Sequence, residues 1–227
     1  MRTAPRDVSA FFAFLIVPAG PPFPEALHGQ TVCAIMCSGT GDMEPAAASF
    51  KPLTEFGPPL LTLAHPMPYP FLQSIFDGLL PHGLHHYWKA DFMHELTDEA
   101  IAEHIKFGPS IPTVNSAVHI YPLDGAVHDV KTEETAFAYR DINFVHIIAA
   151  VTPDPLPLPR YREWVKNYWA ALHPLSAGGA YVNFLMDEGE DRIASSYLEN
   201  HARLAAIKAK YDPDNLFQMN QNIKPAK

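Results

Sequence analysis

Twenty-three prolines punctuate this chain of 227 residues, and they constrain its fold more than any other feature. Proline donates no backbone hydrogen bond and pushes the residue before it out of helical geometry, so helices and interior strands end where prolines gather. Here they fall mostly between stretches of clear apolar periodicity, where a missing N–H costs little. Phe11–Val17 and Thr31–Met36 read as strands on either side of the proline-rich loop Pro18–Pro24. Asp42 is expected to cap a short helix over Glu44–Phe50 that stops near Pro52 or Gly57. Tyr69–Phe76 reads as a second short helix, and His85–Lys89 as a strand.

Thr97-Asp98-Glu99 opens the clearest helix of the first half, with Leu96, Ile101 and Ile105 as its apolar face and Gly108 as its end. Val114–Tyr121, Thr135–Tyr139 and Phe144–Val151, rich in branched and aromatic residues, read as strands. Thr152–Pro159 is a connector. Arg160–His173 follows as an amphipathic helix with Trp164, Tyr168, Ala171 and Leu172 on one stripe. Ala180–Leu185 reads as a strand, and Leu198–Tyr211 as a last helix ended by Asp212-Pro213. An irregular, amide-rich tail closes the chain. The expectation is an α+β fold: a large antiparallel sheet with helices on one face. The domain boundary is expected at 197/198, ahead of the C-terminal helix and tail.

A net charge of −9 argues against a nucleic-acid partner, which needs clustered cations. The two cysteines, Cys33 and Cys37, are too few for a disulfide framework and read as small buried hydrophobes. Arg2 and Arg6 precede the apolar run Ala10–Val17, as in a signal peptide. That run ends at Pro18 without a small-x-small cleavage site and is too short to span a bilayer, so a buried strand and a cytoplasmic, membrane-free protein are expected.

Several clusters point to no chemistry. His85 and His86 alternate across a strand, and His94-Glu95 lacks the second histidine of a zincin helix, so no metal is expected. Ser38-Gly39-Thr40-Gly41-Asp42 lacks both the P-loop lysine and the third glycine of a dinucleotide fingerprint. More informative are two period-two pairs, Tyr181 with Asn183 and Asn220 with Asn222. A phenol and a carboxamide on one strand face suit the edge of a planar heteroaromatic ligand; ordinary loop and cap hydrogen bonding is the other reading.

The C-terminus carries a longer signal. Arg203-Leu204, Ile207-Lys208, Lys210-Tyr211-Asp212-Pro213-Asp214-Asn215-Leu216-Phe217 and Asn220-Gln221-Asn222-Ile223-Lys224-Pro225 closely resemble the end of the berberine bridge enzyme-like FAD-linked oxidases. Gly179-Ala180-Tyr181-Val182-Asn183-Phe184 resembles that family's Y-x-N segment. Asp124-Gly125-Ala126-Val127 through Glu134-Thr135-Ala136-Phe137 and Arg140 is similar to its GAV…TAF…R stretch, and Tyr87-Trp88-Lys89 with Leu96-Thr97-Asp98-Glu99 to its YWK…LSDE stretch.

The resemblance implies FAD as cofactor, a small-molecule substrate, and hydride transfer to the flavin followed by reoxidation by dioxygen. It implies Tyr181 and Asn183 approaching the flavin, and Asn220 and Asn222 in a tail packed on an FAD-binding domain. Nothing in the chain resembles that domain, so the chain alone is expected not to retain FAD. A split enzyme with a separate FAD-domain subunit and self-association are the two partner readings for the uncovered surface. The non-catalytic alternative is an orphan fragment or interaction module. Two departures stand out. Phe184 occupies the place of a tyrosine base common in the family, and Leu198 replaces a glycine common after the tyrosine matched by Tyr197.

Overall fold

In the computed structural model, which describes residues 4–227, five strands form one antiparallel sheet in the order β2-β1-β4-β5-β3. β1 (Val8–Ile16) and β2 (Thr31–Gly39) pair along their full lengths, from Val8 opposite Gly39 to Ile16 opposite Thr31. α1 (Met43–Glu55) and α2 (Tyr69–Ser74) follow, then β3 (His85–Met93) and α3 (Asp98–Phe107). β4 (Ala117–Pro122), α4 (Ala126–Asp129) and β5 (Phe144–Thr152) complete the sheet, with β3 as one edge and β2 as the other. α5 (Leu158–Leu172), α6 (Glu190–Tyr197) and α7 (Asn200–Tyr211) finish the chain. Among the described residues no helix is long and apolar enough to cross a membrane.

Strand alternation divides the core between the two faces of the sheet. On one face Phe14, Val118, Ile148 and Ala150 pack with Met93 against Ala100 of α3 and Val165, Tyr168 and Leu172 of α5. The predicted stripe of α5 is largely the buried one, with Val165 added. Thr97 caps α3 as expected, its hydroxyl accepting from the Ala100 N–H. Two imidazoles, His104 and His146, are buried, and a half-buried third, His119, is likewise a neutral ring. His104 bonds the Tyr168 hydroxyl at 2.7 Å, and burial lowers it to about 4. His146 is pushed down to about 3 by burial beside His104. On the opposite face burial takes His119 down to about 4.

Several expectations are corrected. Thr135–Tyr139 is not a strand: its carbonyls are taken by side chains, Thr135 by Asn200 at 3.2 Å and Phe137 by Arg140 at 3.1 Å. Ala180–Leu185 is not a strand either but a tight turn, with a 3-10 helix at Val182–Phe184. The expected helix Leu198–Tyr211 is present as α7 from Asn200, but α6, which has no counterpart among the sequence expectations, precedes it, and the chain breaks between the two at Leu198. Cys33 is exposed and Cys37 half-buried, so neither is a core residue. Asp42 sits at the N-cap of α1, but its side chain makes no capping bond, and the helix runs through Pro52 to Glu55. Arg2 lies outside the described residues.

The outer edge of β3 is closed by the segment that follows α5. The Phe92 N–H donates to Gly179, and Phe92 accepts from the Ala177 N–H, both at 2.8 Å. Gly179 approaches so closely that a Cβ would lie 2.1 Å from the Tyr139 hydroxyl. Arg192 of α6 then reaches over the edge. It donates to Gly178 and Ala90 carbonyls, each at 2.6 Å, and pairs with the fully buried Asp91 carboxylate. His173 holds the other Asp91 oxygen at 2.8 Å. Burial pushes the Asp91 carboxyl above its usual range, while Arg192 and His173 pull it back.

Three outcomes follow from this packing. Arg192→Met leaves Asp91 buried without its cation and is expected to cost about 3–5 kcal/mol in urea unfolding; adding Asp91→Asn to that variant should recover much of the loss. Leu198 is held at φ +49 and ψ −136, a conformation that glycine adopts far more readily, and its side chain is partly exposed. Leu198→Gly should therefore stabilise the fold by about 1 kcal/mol, read as a raised urea midpoint. His104, His119 and His146 bind protons more weakly folded than unfolded, so the stability they give is full above pH 6.5 and falls as pH drops towards 4. At pH 5 the loss is at most about 2 kcal/mol per imidazole. The urea midpoint should drop between pH 7.5 and 5, and His146→Leu should flatten that drop.

Candidate functional site

The face of the sheet away from α3 and α5 carries Phe11, Tyr121, Val145 and Phe92, and over them opens a cleft of about 760 Å3. Its far wall comes from Leu72 of α2 with Ile75 and Phe76, and from Met36 of β2. Phe137, Tyr181 and Phe184 close it on the side of the clamped edge. The walls form a chain of neighbouring rings. Phe11 lies 4.9 Å from Tyr121, Tyr121 6.0 Å from Phe184, Phe184 5.3 Å from Tyr181, and Tyr181 6.4 Å from Phe137. Such edge-on and tilted contacts make stiff, apolar walls suited to a flat ligand.

The 3-10 turn sets which residues of the Y-x-N segment face this space. In a strand, Tyr181 and Asn183 would share a face and Phe184 would oppose them. With three residues per turn, positions i and i+3 eclipse instead, so Tyr181 and Phe184 both line the cleft. The turn is held by the Phe184 N–H donating to Tyr181 at 2.7 Å and the Ala180 N–H donating to the Ser196 hydroxyl at 3.2 Å. Asn183 still meets Tyr181, donating from its amide to the phenol oxygen at 2.7 Å. That leaves the Tyr181 hydroxyl proton free to donate.

Most lining residues were given no role in the sequence, Tyr121, Phe137 and Arg140 among them. Tyr121 shares a 2.6 Å hydrogen bond with His119, the two sitting at strand spacing on β4. Burial drives the Tyr121 phenol up to about 12, so phenol and imidazole are both neutral near pH 7. Phe137 and Arg140 stand in the stretch quoted for its family resemblance, yet their meeting in the cleft depends on the irregular path of residues 135–139. The period-two spacing of His119 and Tyr121 was a legible signal.

Asn220 and Asn222 are not among the residues lining the cleft. They lie in a tail turn in which Asn220 has φ +57 and the Asn222 N–H donates back to Asn220 at 3.0 Å. Gln221 between them donates to the Leu185 carbonyl at 2.8 Å, which ties the tail to the residue just after the 3-10 turn. The side-chain oxygen of Asn222 is buried with no hydrogen-bond partner among the described residues. The ring-lined cleft itself fits a planar group such as a flavin, whereas the orphaned acceptor of Asn222 lies in the tail outside that lining.

Comparison with known proteins bears on the same segment. Residues 180–224 match the family model described as berberine and berberine like. An FAD-linked oxidoreductase of Dictyostelium discoideum is 29% identical over 84% of this chain and 42% of its own length. A chitooligosaccharide oxidase of Gibberella zeae is 32% identical over 44% of this chain and 22% of its own length. The solved structure of berberine bridge enzyme-like protein 28 from Arabidopsis thaliana superposes over 99% of this chain and 51% of that one, with a TM-score of 0.75 at 18% identity. The chain spans about half or less of the length of each of these proteins. The C-terminal segment 180–224 thus carries the berberine and berberine like pattern, and the chain as a whole is similar in sequence to FAD-linked oxidoreductases and in fold to a berberine bridge enzyme-like protein.

Proposed function

We propose that this chain is the substrate-side part of an FAD-dependent oxidoreductase, with the ring-lined cleft of the open sheet face as the space shared by flavin and substrate. The observation that carries this is the 3-10 turn at Val182–Phe184, which presents Tyr181 and Phe184 together into the cleft. FAD bound against this face would supply the hydride acceptor, with dioxygen as the terminal oxidant. Tyr181, oriented by Asn183, offers a hydroxyl donor to a polar edge. The aromatic walls exclude water and hold flat groups in parallel planes. Asn220 and Asn222, with α7 and the tail, belong to the part that docks against an FAD-bearing domain. Exposed Leu216, Phe217 and Met219 in that tail support such a docking role.

The phosphates of FAD are held outside this chain in this reading, either on a separate subunit or elsewhere in a longer polypeptide, and the location is cytoplasmic. Phe184 has no proton to exchange, so it shapes the cleft and does not act as a base. Phe184→Tyr should keep stability within about 0.5 kcal/mol, because the ring borders open space. A loss of 1–3 kcal/mol, the scale of an unsatisfied buried hydroxyl, would contradict that placement.

Lumiflavin, an isoalloxazine without phosphates, provides the direct test. Titration with the purified chain should quench its fluorescence saturably, and Tyr181→Ala should weaken that binding about tenfold. The chain as purified should show no flavin absorption at one equivalent. Absence of saturable quenching would favour an interaction module without turnover.

A further inference from the structure

We infer that the cleft selects a ligand bearing an anionic group, of the aromatic carboxylate class, through the guanidinium of Arg140. This deepens the reading of the cleft as a substrate pocket and rests on it. Among the residues that line the cleft, Arg140 is the only one with a formal charge; the rest are apolar, aromatic or hydroxyl-bearing. Among the described residues it forms no ion pair, although the acidic chain has carboxylates to spare. Arg6, Arg192, Lys89 and Lys208 each hold one.

Arg140 is also fixed in place. Its Nε donates to the Phe137 carbonyl and one terminal nitrogen to the Val127 carbonyl, both at 3.1 Å; the other terminal nitrogen reaches the Thr135 hydroxyl at 2.6 Å. These three bonds orient the plane, which lies over the Phe137 ring with 4.9 Å from guanidinium carbon to centroid. A guanidinium has five N–H groups, so one remains on each terminal nitrogen. All three acceptors are neutral, so the cation meets no compensating charge. A fixed cation at the rim of an apolar, ring-lined space matches a flat ring carrying a carboxylate. The ring stacks among Phe137, Tyr181 and Phe184, and the carboxylate takes the two remaining donors as charge-assisted bonds.

The test compares naphthalene-2-carboxylate with its neutral isostere naphthalene-2-carboxamide, each titrated calorimetrically into the full chain at low salt. The carboxylate should bind about tenfold more tightly, an advantage that shrinks as salt rises. Arg140→Gln should bring the two ligands to equal affinity, while Arg140→Lys should keep a reduced preference because charge remains without the planar fork. Met36→Trp, which fills the cleft from β2, should weaken both ligands alike. Equal binding of the two by the unmodified chain overturns the role of Arg140 and leaves the cleft standing, and this comparison does not depend on any variant folding. Binding of neither ligand, or binding that Met36→Trp leaves unchanged, overturns the pocket itself and the inference with it.

Discussion

The Asp91–Arg192 pair holds together the part of the molecule that matters for chemistry. β3 is a sheet edge, and an edge strand exposes unpaired N–H and C=O groups unless something covers them. Here the cover is a chain segment that contributes few backbone ladder bonds of its own. Two of these, from Ala177 and to Gly179, start it along Phe92, and Arg192 completes the closure by taking the Ala90 carbonyl and the buried carboxylate together. Because Asp91 is wholly enclosed, its charge is tolerable only while the guanidinium and His173 stay in place. The segment between residues 179 and 192 is thereby suspended between two anchors, and the cleft's Tyr181 and Phe184 hang from that span.

This suspension explains why the Y-x-N segment is a turn. Its composition, aromatic and branched residues with Tyr181 and Asn183 two apart, satisfies a strand pattern. Yet the neighbouring ladder position along β3 is consumed at Gly179, where the approach to Tyr139 admits no side chain, and beyond it Arg192 occupies the edge. With no strand to pair with, the backbone satisfies its groups locally through i→i+3 bonds and the Ser196 hydroxyl. Tertiary competition for a sheet edge decides the outcome, and that competition is invisible in a local window.

The same contrast separates what the sequence discloses from what it withholds. β1, β2, β4, β5, α3 and α5 are legible because hydrophobic period, caps and proline punctuation agree. The antiparallel sheet with helices on one face follows from their order. Less legible are places where side chains substitute for ladder bonds, as Asn200 and Arg140 do for residues 135–137. α6 is hidden for another reason: a leucine sits at its end where the backbone wants glycine, so the usual stop signal of a helix is missing. At the site, Tyr181, Asn183 and Phe184 stand out in sequence, but Phe11, Tyr121 and Arg140 join them only through the register of β1 with β4 and the path of an irregular loop.

The 3-10 turn alters how variation at the site should be counted. Along a strand, residues two apart act in concert, and a designer or a comparative geneticist would group 181 with 183. With three residues per turn, the unit that meets an incoming ring is 181 with 184, and 183 serves only to aim the phenol. Effects of changes at 181 and 184 should then fail to add, whereas a change at 183 combined with one at 184 should come closer to adding. A library that randomises adjacent positions in this segment samples mostly scaffold, while one that steps by three samples the wall that a ligand touches.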